Sequence, residues 1–107
     1  MYEPAASLPP VANAGADQTV KSGASVTLNG SGSDPDNQLP FTYLWIQTSG
    51  PTVILSSKTV ARPTFTAPVV STNTNLTFSL TIKDAAGLSS VPDTVIITVN
   101  KKPGKPR

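Results

Sequence analysis

Leu76-Thr77-Phe78-Ser79-Leu80-Thr81-Ile82-Lys83 alternates without a break. Leu76, Phe78, Leu80 and Ile82 fall on one side, and Thr77, Ser79, Thr81 and Lys83 on the other. A period of two held over eight residues marks a strand with one buried face. Downstream, Asp84-Ala85-Ala86-Gly87 predicts a tight connection, with glycine where a positive φ is needed. Thr94 to Asn100 then alternates again, with Val95, Ile97 and Val99 inward and Ile96 the single apolar residue on the outer face. Upstream, Thr42 to Thr48 places Tyr43, Trp45 and Gln47 on one face and Leu44 and Ile46 on the other, and Ser49-Gly50-Pro51 ends it. Gln47 shares the inward face, so its amide is expected to hydrogen-bond backbone near Gly50-Pro51.

The rest of the chain reads in the same way, with no helical period. Thr19-Val20-Lys21 is a short strand stopped by Ser22-Gly23, and Ser25 to Asn29 carries Val26 and Leu28 on one face. Gly30 to Asn37 reads as a turn-rich loop, while Val53 to Leu55 and Thr64-Phe65-Thr66 read as short strands, the latter closed by Pro68. About seven short strands with frequent turn signals predict an all-β fold, a two-sheet antiparallel sandwich. Its predicted core is Val20, Val26, Leu28, Tyr43, Trp45, Phe65, Leu76, Phe78, Leu80, Ile82, Val95, Ile97 and Val99. Composition agrees. Thr (14), Ser (12) and Val (10) dominate the 107 residues, and branched Cβ atoms suit a pleated, half-buried surface.

Cysteine and histidine are both absent. That excludes disulfides, thiol nucleophiles, His/Cys zinc sites, imidazole acid–base catalysis and a Ser–His–Asp triad. Any metal must be a hard cation on oxygen ligands, calcium first. The formal charge of +2 arises in the tail, because Lys101, Lys102, Lys105 and Arg107 all lie in the last seven residues. No basic face of the kind nucleic acid requires is left on the domain itself. No apolar run approaches the ~20 residues of a membrane helix, and Tyr2-Glu3-Pro4 does not open a signal peptide. Residues 1–9 and 101–107 are proline-rich and aperiodic, so both read as linkers flanking a domain over 10–100. The chain therefore reads as one bead of a longer string.

Several marks occur together in order. They are Pro10-Val11-Ala12-Asn13-Ala14-Gly15 with Asp17-Gln18, then Val26-Thr27-Leu28-Asn29-Gly30-Ser31-Gly32-Ser33-Asp34-Pro35-Asp36. Tyr43-Leu44-Trp45-Ile46-Gln47 with Gly50-Pro51 follows, then Pro63-Thr64-Phe65-Thr66-Ala67-Pro68, Leu76 to Asp84 with Gly87, and Val95 to Val99. This pattern resembles the PKD (polycystic kidney disease) domain, in the branch carrying Y-x-W-x-Q-x-x-G-P rather than W-D-F-G-D-G. Asn37 stands where that family usually has a glycine. The resemblance implies an Ig-like sandwich in which Trp45 packs mid-core without a disulfide. It also implies a spacer or contact module of extracellular proteins, used in tandem on cell surfaces or between domains of secreted enzymes, with calcium bound in some members.

Each candidate site has two readings. Asn13, Asp34, Asp36 and Asp84 form an oxygen-rich set suited to calcium, or Asp34-Pro35-Asp36-Asn37 and Asp84 with Gly87 simply build turns. Asn29-Gly30-Ser31 and Asn75-Leu76-Thr77 match the N-glycosylation acceptor pattern, against chance in a chain so rich in Ser, Thr and Asn. Tyr43, Trp45 and Phe65 can be drawn as a sugar-stacking platform or, with Phe78, Leu80 and Ile82, as structural core. The 101–107 tail can bind acidic polymers or simply be solvated. Paired carboxylates can run glycoside hydrolysis, but the only Glu is Glu3, in the linker.

The resemblance implies two functions for these residues. The first is a non-catalytic extracellular spacer and protein–protein interaction module, monomeric alone, whose partners are the neighbouring domains. The alternative is an accessory domain of a secreted polysaccharide-degrading enzyme or protease that binds carbohydrate, fibre or another protein. Adhesion through tandem repeats is a third, weaker reading. A sheet coated in Thr and Ser favours the spacer, and an exposed aromatic patch favours binding.

Overall fold

The computed structural model describes residues 8–35 and 39–103. Within them the chain forms eight strands and no helix: β1 (Val11–Asn13), β2 (Gln18–Lys21), β3 (Ser25–Thr27), β4 (Ser31–Ser33), β5 (Thr42–Ser49), β6 (Thr64–Thr66), β7 (Thr74–Lys83) and β8 (Asp93–Asn100). One layer is a four-stranded sheet in the order β2-β8-β7-β5, and the facing layer consists of two ladders, β1-β4 and β3-β6. All pairings are antiparallel except β2 with β8, which run parallel. The result is the all-β, Ig-like sandwich expected from the alternation.

The long alternating segments become the long strands. On β7, Leu76, Phe78, Leu80 and Ile82 are fully buried. They face Val26, Leu28 and Phe65 of the second layer across one contiguous core, and Phe65 and Phe78 meet with ring centroids 5.2 Å apart. Trp45 on β5 is fully buried. Its indole N–H donates to the Val60 carbonyl at 3.0 Å, and its backbone N–H donates to the Lys58 carbonyl at 2.8 Å. Of the predicted core, Tyr43 and Val20 are only half-buried and pack against its rim. Tyr43 meets Phe41 edge-on, with ring centroids 6.5 Å apart. Ala12, Ala14 and Ala67 are buried beyond that set.

Three segments differ from the sequence reading. Gly30 to Asn37 is not all turn, since Ser31–Ser33 pairs with Val11–Asn13, a stretch not marked as a strand. The reason is continuity. The β3-β6 ladder runs on past Thr27 through Leu28 N–H to Pro63 O at 2.9 Å and Gly30 N–H to Ala61 O at 2.9 Å, so the extended backbone arrives at β4 already formed. Conversely, Val53 to Leu55 forms no strand. The Gln47 side chain takes the place of a ladder there: its Oε1 accepts from Val53 N–H at 3.0 Å, and its Nε2 donates to Ser49 O at 3.0 Å and Pro51 O at 2.6 Å. The expected contact with backbone around Gly50-Pro51 is thus met. Truncating Gln47 to Ala strands the Val53 amide, and a loss of about 1–3 kcal/mol is expected, read as a lower denaturation midpoint.

The Asp84 connection is a side-chain-braced hairpin. Asp84 Oδ1 accepts from Leu88 N–H at 2.9 Å. Its main chain exchanges with Leu88 O and Gly87 N–H, and Gly87 takes φ +92°, as the turn demands.

Candidate functional site

The two ends of the sandwich carry its polar features, and the strand register decides what meets at each. Gly30 lies against Leu80 and Gly32 against Ile82, so β4 runs alongside β7 in the same direction. Two residues further on, Asp34 and Asp84 therefore stand at one pole, on facing layers about 10 Å apart. Val11, paired with Ser33, brings the chain in at this same pole. At the other pole Val99 pairs with Thr74 and Asn100 with Lys21, and there the chain leaves β8. The ten residues of β7 separate the poles by about 30 Å at ~3.3 Å per residue.

The predicted oxygen set divides. Asp84 is 4% exposed, and its Oδ2 is buried with no hydrogen-bond partner, a group that burial penalises. Asp34 is half-buried at the same pole. Asn13 is opposite Ser31, about 10 Å down the ladder from Asp34, and its Oδ1 accepts from Gly15 N–H at 2.8 Å, an Asx turn. Asp36 and Asn37 lie outside the described residues. Among the described residues no three acidic side chains gather in metal-binding proximity. The two remaining aspartates of the domain staple β1 and β2 to the sheet. Asp93 Oδ2 accepts from Ala14 N–H at 2.7 Å and Asp17 Oδ1 from Ile96 N–H at 2.9 Å. No sequence pattern reveals these bonds, which join residues 79 apart.

The faces are as informative as the ends. Tyr43, Trp45 and Phe65 point into the sandwich, so no sugar-stacking platform forms from them. The outer face of the four-stranded sheet presents Thr77, Ser79 and Thr81 from β7 and Thr94 and Thr98 from β8, with Leu44, Ile46 and Ile96 exposed among them. A cleft of about 620 Å³ runs along the outer edge of β5, lined by Trp45 to Gly50, Thr52 to Leu55 and Lys58. Both acceptor asparagines are exposed. Asn75 Oδ1 accepts from Thr98 Oγ1 at 3.0 Å, and Asn29 sits where β3 passes into β4. No helix of the described residues is long and apolar enough to cross a membrane.

Comparison with known proteins matches residues 14–99 to a family profile described as "K319L-like, PKD domain". Chitinase A of Pseudoalteromonas piscicida is 35% identical over 81 residues, which is 76% of this chain and 9% of that protein. The chain thus spans under a tenth of this relative's length. The solution structure of the PKD domain from KIAA 1837 protein superposes with a TM-score of 0.67 at 30% identity, covering 98% of this chain and 99% of that one. A nucleoside hydrolase-related hypothetical protein from Saccharophagus degradans, described as associated with carbohydrate metabolism, superposes with a TM-score of 0.65 at 20% identity. It covers 91% of this chain and 26% of that chain, and at that identity shows the shared fold alone.

Proposed function

The chain belongs to the PKD-domain family, and on that footing we propose that it is a non-catalytic spacer that holds neighbouring domains of a larger extracellular protein apart. The observation that carries this reading is the placement of the chain ends. The polypeptide comes in at the Val11–Ser33 pole and leaves at the Val99–Thr74 pole, so each copy adds its length to a string. The outer sheet face, where Thr and Ser surround the aliphatic Leu44, Ile46 and Ile96 and Tyr43, Trp45 and Phe65 are turned inward, supports a spacer over a sugar-binding surface. An extracellular setting is supported by the family resemblance and by a composition with 13% charged residues. The similarity to a chitinase A supports a polysaccharide-degrading enzyme as the parent protein.

Two copies joined in series through their own ends test the spacer directly. Small-angle scattering is expected to show a maximum dimension one domain length greater than that of a single, monomeric copy. A folded-back pair would overturn the reading. Incubation with insoluble chitin separates the alternative, a carbohydrate-binding accessory module: the isolated domain is expected to stay in the supernatant, and retention on the solid would favour binding.

Calcium is a second reading favoured by one atom, the buried and unpartnered Oδ2 of Asp84. Asp34 and Asp84 would hold the ion, with main-chain carbonyls and water filling its shell. Millimolar calcium is then expected to raise the melting midpoint by several degrees, an effect lost in Asp84→Asn. No shift on adding calcium or chelator assigns both carboxylates to turn building.

A further inference from the structure

Four hydrogen bonds lie at and beyond the end of β8, and together they form a knot drawn from three distant parts of the chain. Ser22, at the end of β2, donates its Oγ–H to the Asn100 carbonyl at 2.8 Å. The same oxygen accepts from Val70 N–H at 3.2 Å. The Val70 carbonyl in turn accepts from Lys102 N–H at 2.9 Å, and Asn73 Oδ1 accepts from Lys101 N–H at 2.8 Å. Val70 is anchored, since its side chain packs against the hydrophobic core. The β6–β7 connection thus grips two residues that no ladder requires, because the last strand ends at Asn100. The next residue extends the grip. Pro103 fixes its own φ and confines Lys102 to extended backbone, so the direction set at Lys102 is carried forward.

We propose that Ser22, Val70 and Asn73 form a clamp that fixes the direction in which the chain leaves the sandwich. The chain is then held at a set angle as far as Pro103 instead of swinging free from Asn100. The purpose of the clamp rests on the spacer reading, since a spacer transmits orientation only if its joints are stiff; the clamp itself rests on the four bonds. Charge plays no part in it, because the Lys101 and Lys102 side chains are exposed and only their main-chain amides are held.

Amide hydrogen exchange followed by NMR on the intact chain is the test. The Lys101 and Lys102 amides are expected to exchange at least tenfold slower than in an unstructured chain. Asn73→Ala is expected to return Lys101 to the unstructured rate while Phe78 and Val95 in the core keep theirs. Ser22→Ala is expected to lower protection at both Val70 and Lys102. Fast exchange at Lys101 and Lys102 in the unaltered protein would overturn the clamp, and so would protection that survives Asn73→Ala and Ser22→Ala. The two readings fail separately. An unprotected exit leaves the opposed chain ends and the spacer intact. A folded-back two-copy string with protected amides would sink the spacer and leave the clamp standing.

Discussion

Replacing Trp45 with alanine is expected to destabilise the domain by about 3–5 kcal/mol, lowering its melting midpoint by roughly 15–30 °C. Three losses combine. The ring is fully buried, so its removal opens a cavity between layers that can collapse only in part. The Val60 carbonyl loses its indole donor, and an acceptor left unpaired in a partly buried position carries part of a desolvation cost. The Val60 bond and the main-chain bond from Trp45 to Lys58 together dock the segment beside the β5 edge, so truncation loosens that segment as well. A domain of this size without disulfides has about 5–15 kcal/mol of total stability to draw on. The substituted protein should therefore sit near the edge of folding at 37 °C. Trp45→Phe, which keeps a ring and drops the donor, is expected to fall between the two. An Ala variant melting within a few degrees of the unaltered chain would place Trp45 outside the energetic centre of the fold.

Gly30→Ala is the second large effect, expected to cost about 1–3 kcal/mol although it adds one methyl group. A Cβ built on Gly30 lies 2.6 Å from Trp45 Cζ2, 2.7 Å from the Ala61 carbonyl oxygen and 3.0 Å from Leu80 Cδ2. Neither of the two closest atoms belongs to a flexible side-chain end. One is in the indole ring, and the other is the carbonyl that accepts Gly30's own N–H. Relief therefore requires the layers to part or the ladder bond to lengthen. Thermal melts of Gly30→Ala alone and with Trp45→Phe make the check. The added methyl should cost less beside the smaller ring, a coupling that a double-mutant cycle reads directly. Equal cost in both backgrounds would mean that the ladder, and not the indole, sets the limit.

The legibility of this protein follows the range of each interaction. β5, β7 and β8 can be read from the chain because alternation is a local property and their inward residues are large. β1 and β4 cannot, because Val11–Asn13 and Ser31–Ser33 are short, small-residue stretches whose extended form comes from the ladder that leads into β4 and from pairing with each other. Gln47 was legible because its partners lie within six residues. Val53 to Leu55 misled for the same local reason, since a short apolar run reads as a strand and yet its first amide is taken by Gln47.

The site residues divide likewise. The residue types of the oxygen set were visible in the sequence, but separating Asn13 from Asp34, and aligning Asp34 with Asp84, needed the β1-β4 register and its stacking on β7. Ser22 and Asn73 carry no sequence signal, because they act on residues 78 and 28 positions away.

By itself the sequence determined the all-β class, the buried face of the long strands, Trp45 as the centre of a core without disulfides, and the family pattern. Each is encoded by residue type at short spacing, where backbone geometry converts period into facing. Only the tertiary structure decided that β2 joins the sheet in parallel, that the chain ends lie at opposite poles, and that the exit past Asn100 is tied down. Those depend on contacts between segments far apart in the chain, and no local period encodes which distant backbone group a given amide will meet.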